Sequence, residues 1–363
     1  MPYCSKCGAK LGGEEAFCPR CGASVISLVA EPLGRRERKP IGVLAIALIA
    51  LITVAVVIAA VATFALLPIQ IAGPVTRQMS VPSASDVNVL NFNLTADIAG
   101  VNISFEDLSG EWQSPSIILN ASATAKVGAF GSSDFLERFM PVWHDETEGD
   151  VLTVTVRQDV DMFFWPHYSS LNVTFDVRID SSMNSSLNVR VSTGGIVVET
   201  QAGVVLDSVA LEVTTGSVET RLVKNGVVNG DVSATVTTGS VRLFWENVIV
   251  AGDVQVEVLV TTGGVEVTVE EYAGLQGDIT LNAEVTTGGV DFAIDIMGDA
   301  GAMITSSVTV GGVDVDRRVG FSGSDTALQS SNYPAGHNFN VHLRTTAGGI
   351  DIDAEYTHSN IHA

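Results

Sequence analysis

The 363-residue sequence lacks the features on which most enzymes and nucleic-acid-binding proteins depend. It contains no nucleophile elbow, His-Glu-x-x-His helix, phosphate loop or dinucleotide fingerprint, so we predict that it is not an enzyme. Basic residues are scarce after residue 68, where 12 Lys and Arg face 37 Asp and Glu, a net charge of −25. Phosphate binding requires clustered Lys and Arg, so this part is not expected to bind nucleic acid.

Cysteine is also scarce, and its four copies all lie within the first 21 residues. They form two Cys-x-x-Cys-Gly pairs, Cys4 with Cys7 and Cys18 with Cys21. Four thiolates at this spacing complete a tetrahedral shell around Zn²⁺ and leave no open position for substrate. We therefore predict a structural zinc ribbon at residues 1–25, with a rubredoxin-type iron site as the alternative. Tyr3 and Phe17 are expected to pack around the metal.

A motif of threonine, glycine and an apolar residue recurs seven times in the C-terminal half. The first six copies are spaced by 22 to 25 residues, a period typical of stacked repeats. The copies are Ser192–Ile196, Thr214–Val218, Thr237–Val241, Thr261–Val265, Thr286–Val290, Thr309–Val313 and Thr346–Ile350. The longer step before the last copy suggests an insertion or a capping unit.

The residues after each glycine alternate as in a half-buried β-strand. Val265, Val267 and Val269 should face the core, while Glu266 and Glu270 face solvent. Each repeat is expected to consist of two short strands with the glycines at the corner between them. A β-sandwich of hairpins is the alternative, because a Gly-Gly pair also closes a hairpin turn.

These Thr-Thr-Gly-Gly/Ser-Val-Glu rungs resemble the putative-adhesin family of bacterial and archaeal envelope proteins. The resemblance extends over about residues 187–355 and implies a β-solenoid-like fold with no chemical reaction. The predicted fold class is therefore mainly β: a β-solenoid of residues 187–357, preceded by a β-rich cap region at 86–186. Within the cap, residues 132–140 are predicted to form one short helix.

A long apolar segment precedes the β-rich region. Residues 41–68 are long enough to cross a bilayer as one transmembrane helix, and the basic residues of the linker at 26–40 place the N-terminus in the cytoplasm. This interpretation makes the lipid bilayer a partner and places the C-terminal domain outside the cell membrane. Residues 69–85 are expected to form a stalk and residues 358–363 a disordered tail.

Five Asn-x-Ser/Thr sequons lie in the part assigned to the exterior, where N-glycosylation is possible. Their asparagines are Asn93, Asn102, Asn120, Asn172 and Asn184. The acidic composition is also consistent with a saline archaeal habitat.

Taken together, these patterns predict an envelope protein that presents an acidic β-solenoid for adhesion, binding or a structural role, with an extracellular glycan or protein as its ligand. One alternative is a transmembrane sensor whose zinc ribbon recruits a cytoplasmic protein. The other is an enzyme acting on polysaccharides with paired carboxylates.

Overall fold

The computed structural model describes residues 3–4, 6–10, 12, 17–18, 20–22, 70–83, 86–127, 133–160, 168–272 and 275–358. The chain divides into two units, residues 1–67 and 68–363. The described part of the second unit is built of β-strands and one 3₁₀ helix, Ser133–Phe139. The strands are β1 Gln70–Pro82, β2 Val89–Glu106, β3 Pro115–Val127, β4 Val142–Glu148, β5 Val151–Gln158, β6 Tyr168–Asp180, β7 Asn184–Glu199, β8 Val205–Leu222, β9 Val227–Val228, β10 Val232–Glu246, β11 Ile249–Val250, β12 Val254–Glu271, β13 Ile279–Met297, β14 Ala300–Val319, β15 Phe321–Ser324, β16 Ala327–Ser330 and β17 His337–Thr357.

The seven repeats form long parallel strands that lie side by side. Strands β7, β8, β10, β12 and β13 pair in sequence order, and each residue meets the equivalent residue of the next repeat. Thr215, for example, pairs with both Thr193 and Thr238. Parallel pairing at an offset of one repeat does not fit the alternative of hairpins packed into a sandwich, because hairpin strands are antiparallel.

The glycine motifs do not separate two strands, which corrects our expectation of glycine corners. Each strand continues through its motif and bends there, because the first glycine has a φ between 136° and 151° in every repeat. Residues other than glycine rarely adopt this conformation. The bend lets one strand of 15 to 21 residues cover two sides of the core.

The last two repeats do not stack in sequence order. Strand β17 carries the seventh repeat and pairs with β13 on one side and β14 on the other. The sixth repeat, in β14, is therefore the outermost layer. A hairpin of β15 and β16 covers only the start of β14, where Met303 to Thr305 pair with β16.

The region before the repeats also contributes to the stack. Strand β2 pairs with β7 in parallel, and Ala99 occupies the position equivalent to Gly194. Residues 70–82, which we assigned to a stalk, form β1 and pair antiparallel with β3. The predicted short helix is present as the 3₁₀ helix Ser133–Phe139.

The core consists of columns of apolar side chains, each formed by equivalent residues of neighbouring strands. One column contains Val218, Val241, Val265, Val290 and Ile350, which are at most 1% exposed and lie in register on five neighbouring strands. Complete burial of one such side chain contributes about 1.5–3 kcal/mol. The predicted alternation is confirmed, because Val265, Val267 and Val269 are buried and the residues between them are not.

The predicted transmembrane helix requires a correction. The residues to which we assigned it, 41–68, lie outside the described residues. Within the described ranges, no helix combines the length and the apolar composition that crossing a membrane requires. We therefore remove this helix from the fold class, which remains mainly β.

Candidate zinc centre and acidic surface

The four cysteines of the N-terminal unit converge on one point. Their Sγ atoms all lie within 4.8 Å of one another. The Sγ atoms of Cys4 and Cys21 are 3.7 Å apart, as are those of Cys7 and Cys18. A tetrahedral Zn²⁺ site with Zn–S bonds of about 2.3 Å requires S···S distances of about 3.8 Å. The cysteines thus fit a structural zinc site, in which they would fill all four coordination positions.

Local backbone geometry brings each cysteine pair together. The N–H of Gly8 donates to the carbonyl of Cys4, and the N–H of Gly22 donates to the carbonyl of Cys18, both at 2.8 Å. Both glycines have positive φ, 71° and 66°. This conformation explains why glycine follows the second cysteine of each pair.

The thiol groups differ in their tendency to lose a proton. The backbone N–H groups of Lys6 and Cys7 lower the pKa of the Cys4 thiol to about 6. The N–H of Ala9 also lowers the pKa of Cys7, but its contacts with Cys21 and the other thiols, together with desolvation, outweigh this and raise that pKa to about 12. Clustered thiols therefore retain protons that a divalent cation displaces when it binds.

Tyr3 and Phe17 do not pack around the site as expected. Their side chains are 65% and 63% exposed. Tyr3 instead forms a β-bridge with Lys10 through its backbone. Few apolar side chains cover the cysteines among the described residues of this unit, so its stability depends on the metal.

An acidic row crosses the outer face of the second unit. Glu266, Asp291, Asp351 and Asp314 occupy equivalent positions on β12, β13, β17 and β14. Burial raises the pKa of Asp291, and the charges of Asp351 and Glu266 raise it further. Glu266, Asp291 and Asp351 line a shallow recess of about 290 Å³ together with Asp316 and Asp353. We define the four in-register carboxylates as the acidic row.

The sequence did not reveal this row, although it contained one usable signal. Each member directly follows the apolar residue of a glycine motif, so equal spacing pointed to a shared column. At the same position, the next strand, β10, carries Arg242, and β8 beyond it carries Glu219. Arg242 pairs with Glu266 at 2.9 Å, which partly neutralises that end of the row.

The five predicted glycosylation asparagines all lie in paired strands. Asn102 and Asn172 are exposed, and the other three are partly buried. The side-chain amide of Asn102 donates to Asp176 at 2.7 Å. Glycosylation at these positions stays a prediction.

Comparisons with known proteins agree with the zinc site. Residues 3–25 match the family model of the zinc-ribbon domain. The zinc-ribbon match and the convergence of Cys4, Cys7, Cys18 and Cys21 are consistent with the predicted structural zinc. No curated protein matched the sequence.

Several solved structures resemble this chain distantly. One is titled a putative cell adhesion protein from Clostridium sporogenes, with 12% identity and a TM-score of 0.39, covering 78% of this chain and 100% of its own. Another, a putative adhesin from Bacteroides fragilis, has 11% identity and a TM-score of 0.22 over 78% of this chain and 97% of its own. A putative adhesin from Parabacteroides distasonis has 11% identity and a TM-score of 0.20 over the same shares.

Proposed function

We propose that the second unit is an adhesion surface of the cell envelope, exposed outside the cytoplasm. The observation that carries this proposal is the in-register outer face of the stacked strands, on which the acidic row extends across four layers. Such a face is rigid, because every layer is hydrogen-bonded to the next. It suits contact with an extended partner over many small interactions.

The composition supports the proposed location. The second unit contains no cysteine, so an oxidising exterior has no thiol to modify. Its net charge of −25 also keeps such a surface soluble and repels like-charged neighbours. We propose that the zinc ribbon is a structural module separate from this surface.

The location is tested by labelling intact cells that produce the full chain. We expect a membrane-impermeant amine reagent to modify Lys126 and Lys224, the two lysines of the second unit, before the cells are lysed. Labelling that appears only after lysis would contradict the proposed location.

The adhesive role is tested by measuring attachment of these cells to envelope material under flow. We expect cells with the full chain to resist detachment better than cells without it. Replacing three members of the acidic row, Asp291→Asn, Asp351→Asn and Asp314→Asn, should change the attachment. Glu257→Gln is the matched control, since Ser233 and Asn282 flank Glu257 in register. Equal attachment with and without an exposed chain would overturn the proposal.

A further inference from the structure

A cavity of about 660 Å³ lies at the end of the 3₁₀ helix, beside strands β4 and β5. Its volume falls within the range of about 300–1,000 Å³ that is typical of small-molecule sites. The described residues that line it combine basic, polar and apolar side chains: Arg138, Met140, Val142, His144, Thr155, Arg157 and Asp159. Two arginines and a histidine thus meet one carboxylate, in a unit that is otherwise strongly acidic.

The two arginines of the cavity are unusual within this unit. Residues 70–358 contain ten arginines, and eight of them form ion pairs with described carboxylates. Arg138 and Arg157 form no ion pair with any described residue. Arg138 packs over the ring of Phe135, 5.6 Å from its centroid, and that contact leaves its guanidinium donors available. Where acids outnumber bases threefold, two unpaired arginines at one cavity indicate a site for an external anion.

A buried amide links the backbone segments that carry the two arginines. Gln158 is 3% exposed. It donates from its side chain to the carbonyl of Phe139 and accepts from the N–H of Ile98, both at 2.9 Å. These bonds tie the end of the helix, next to Arg138, to the strand that carries Arg157. These bonds fix the backbone on both sides of the cavity before any ligand arrives, which lowers the entropic cost of binding.

Strand register places the remaining groups. Val142 pairs with Arg157 and His144 pairs with Thr155 across β4 and β5, so all four side chains emerge on one face. Apolar Val142 and Met140 then lie beside the charged groups. A sugar ring matches such a surface, because it has apolar C–H faces and a polar edge of hydroxyl groups.

We propose that this cavity binds a carboxylated saccharide, such as a uronic acid unit of an envelope glycan. Arg138 and Arg157 would hold the carboxylate, since the planar guanidinium matches its geometry. Thr155 and Asp159 would bind ring hydroxyls, and the apolar side chains would contact the ring. The carboxylate of Asp159 disfavours a sulfate, which has no hydroxyl to donate to it and carries two negative charges. The inference rests on the proposed function, because it names a ligand class for a second site on the unit that we propose to be adhesive.

The test is calorimetric titration of the full chain with glucuronate, and with glucose and inorganic sulfate as comparison probes. We expect saturable binding of glucuronate and little binding of glucose. Arg157→Gln and Arg138→Gln should each weaken glucuronate binding by about tenfold or more, since each removes hydrogen bonds to a charged group. Arg190→Gln is the matched control, because Arg190 pairs with Glu212 on the exposed face of β7. It should leave the affinity unchanged.

Three results would overturn the inference: no saturable binding of glucuronate, equal binding by Arg157→Gln, or sulfate binding as tight as glucuronate. Thermal unfolding of each variant checks that a lost signal does not reflect a lost fold. The attachment assay separates this inference from the proposed function. Cells that attach normally while the chain fails to bind glucuronate would contradict the carboxylated-sugar site alone, whereas an intact site without attachment would contradict the adhesive role alone.

Discussion

The carbonyl oxygen of Gly194 occupies the space into which a side chain on Gly216 would extend. The same relationship holds for the first glycine of each later motif, which lies against the carbonyl oxygen of the equivalent glycine on the neighbouring strand. We call these first glycines the glycine column: Gly194, Gly216, Gly239, Gly263, Gly288, Gly348 and Gly311. Positive φ and backbone contact thus both require glycine at this column. The glycine column lets every repeat strand bend at the same register position.

We expect Gly263→Ala to destabilise the second unit by about 3 kcal/mol or more. The new Cβ would overlap the carbonyl oxygen of Gly239 in a backbone conformation that L residues avoid. Gly264→Ala is the matched control, since the nearest atom to its Cβ would be 3.9 Å away. It should cost less than about 1 kcal/mol. Urea unfolding measures the free energy of unfolding of both variants. Equal losses of stability would contradict the proposed role of the glycine column.

Removal of the buried amide of Gln158 is predicted to loosen the helix end. Gln158→Ala leaves the N–H of Ile98 and the carbonyl of Phe139 without their partner, and we expect a loss of about 2 kcal/mol or more. Gln255→Ala removes an exposed glutamine from β12 and should cost less than about 0.5 kcal/mol. Denaturant unfolding compares the two. Similar values would show that the bridge does not hold the helix.

Cys18→Ser is expected to abolish stoichiometric zinc binding. Three thiolates and a hydroxyl form a much weaker site, and the described residues around the cysteines offer little apolar burial to replace the metal. Elemental analysis of the purified full chain should give one zinc per chain for the natural sequence. Iron in place of zinc would support the rubredoxin-type alternative. Retention of one zinc by Cys18→Ser would show that the four-cysteine assignment is wrong.

Zinc retention should also depend on pH in a defined direction. Zinc requires all four thiolates, and the pKa of Cys7 is raised to about 12 in the metal-free cluster. Protons therefore compete with zinc more strongly as the pH falls, so the affinity should decrease steadily from pH 8 to pH 5. Competition with a chromogenic chelator measures this trend. An affinity that is independent of pH would contradict it.

Neutralising one member of the acidic row should stabilise the fold at neutral pH. The pKa of Asp291 is raised in the folded state by burial and by its acidic neighbours. The folded state therefore binds this proton more tightly than the unfolded state does, and stability is lost as the pH rises from below the unfolded pKa through the folded one.

Asp291→Asn removes this dependence, so the variant should be more stable than the natural chain at pH 7 and should differ less from it at pH 3. Glu257→Gln removes a charge without in-register acidic neighbours and should change stability little at either pH. Urea midpoints at the two pH values provide the measurement. A lower midpoint for Asp291→Asn at pH 7 would contradict the prediction.

Local patterns were sufficient for two parts of this protein. The spacing of Cys4, Cys7, Cys18 and Cys21 indicated that the four thiols lie close together, because two short loops suffice to bring such pairs together. The period-2 alternation around Val265 specified which side chains are buried, because a strand has only two faces. The glycine positions also marked the bends, although they were interpreted as corners between separate strands.

Other features depended on contacts between residues far apart in the chain. No local signal predicts that β17 lies between β13 and β14 or that β2 pairs with β7. None predicts that Arg138 and Arg157 line the same cavity. Repeats with nearly identical motifs can pair with several neighbours, and the free energy of packing over the whole stack selects one order. Spacing along the chain decided what each strand buries, whereas the summed long-range contacts decided which strands are neighbours and therefore which charges meet.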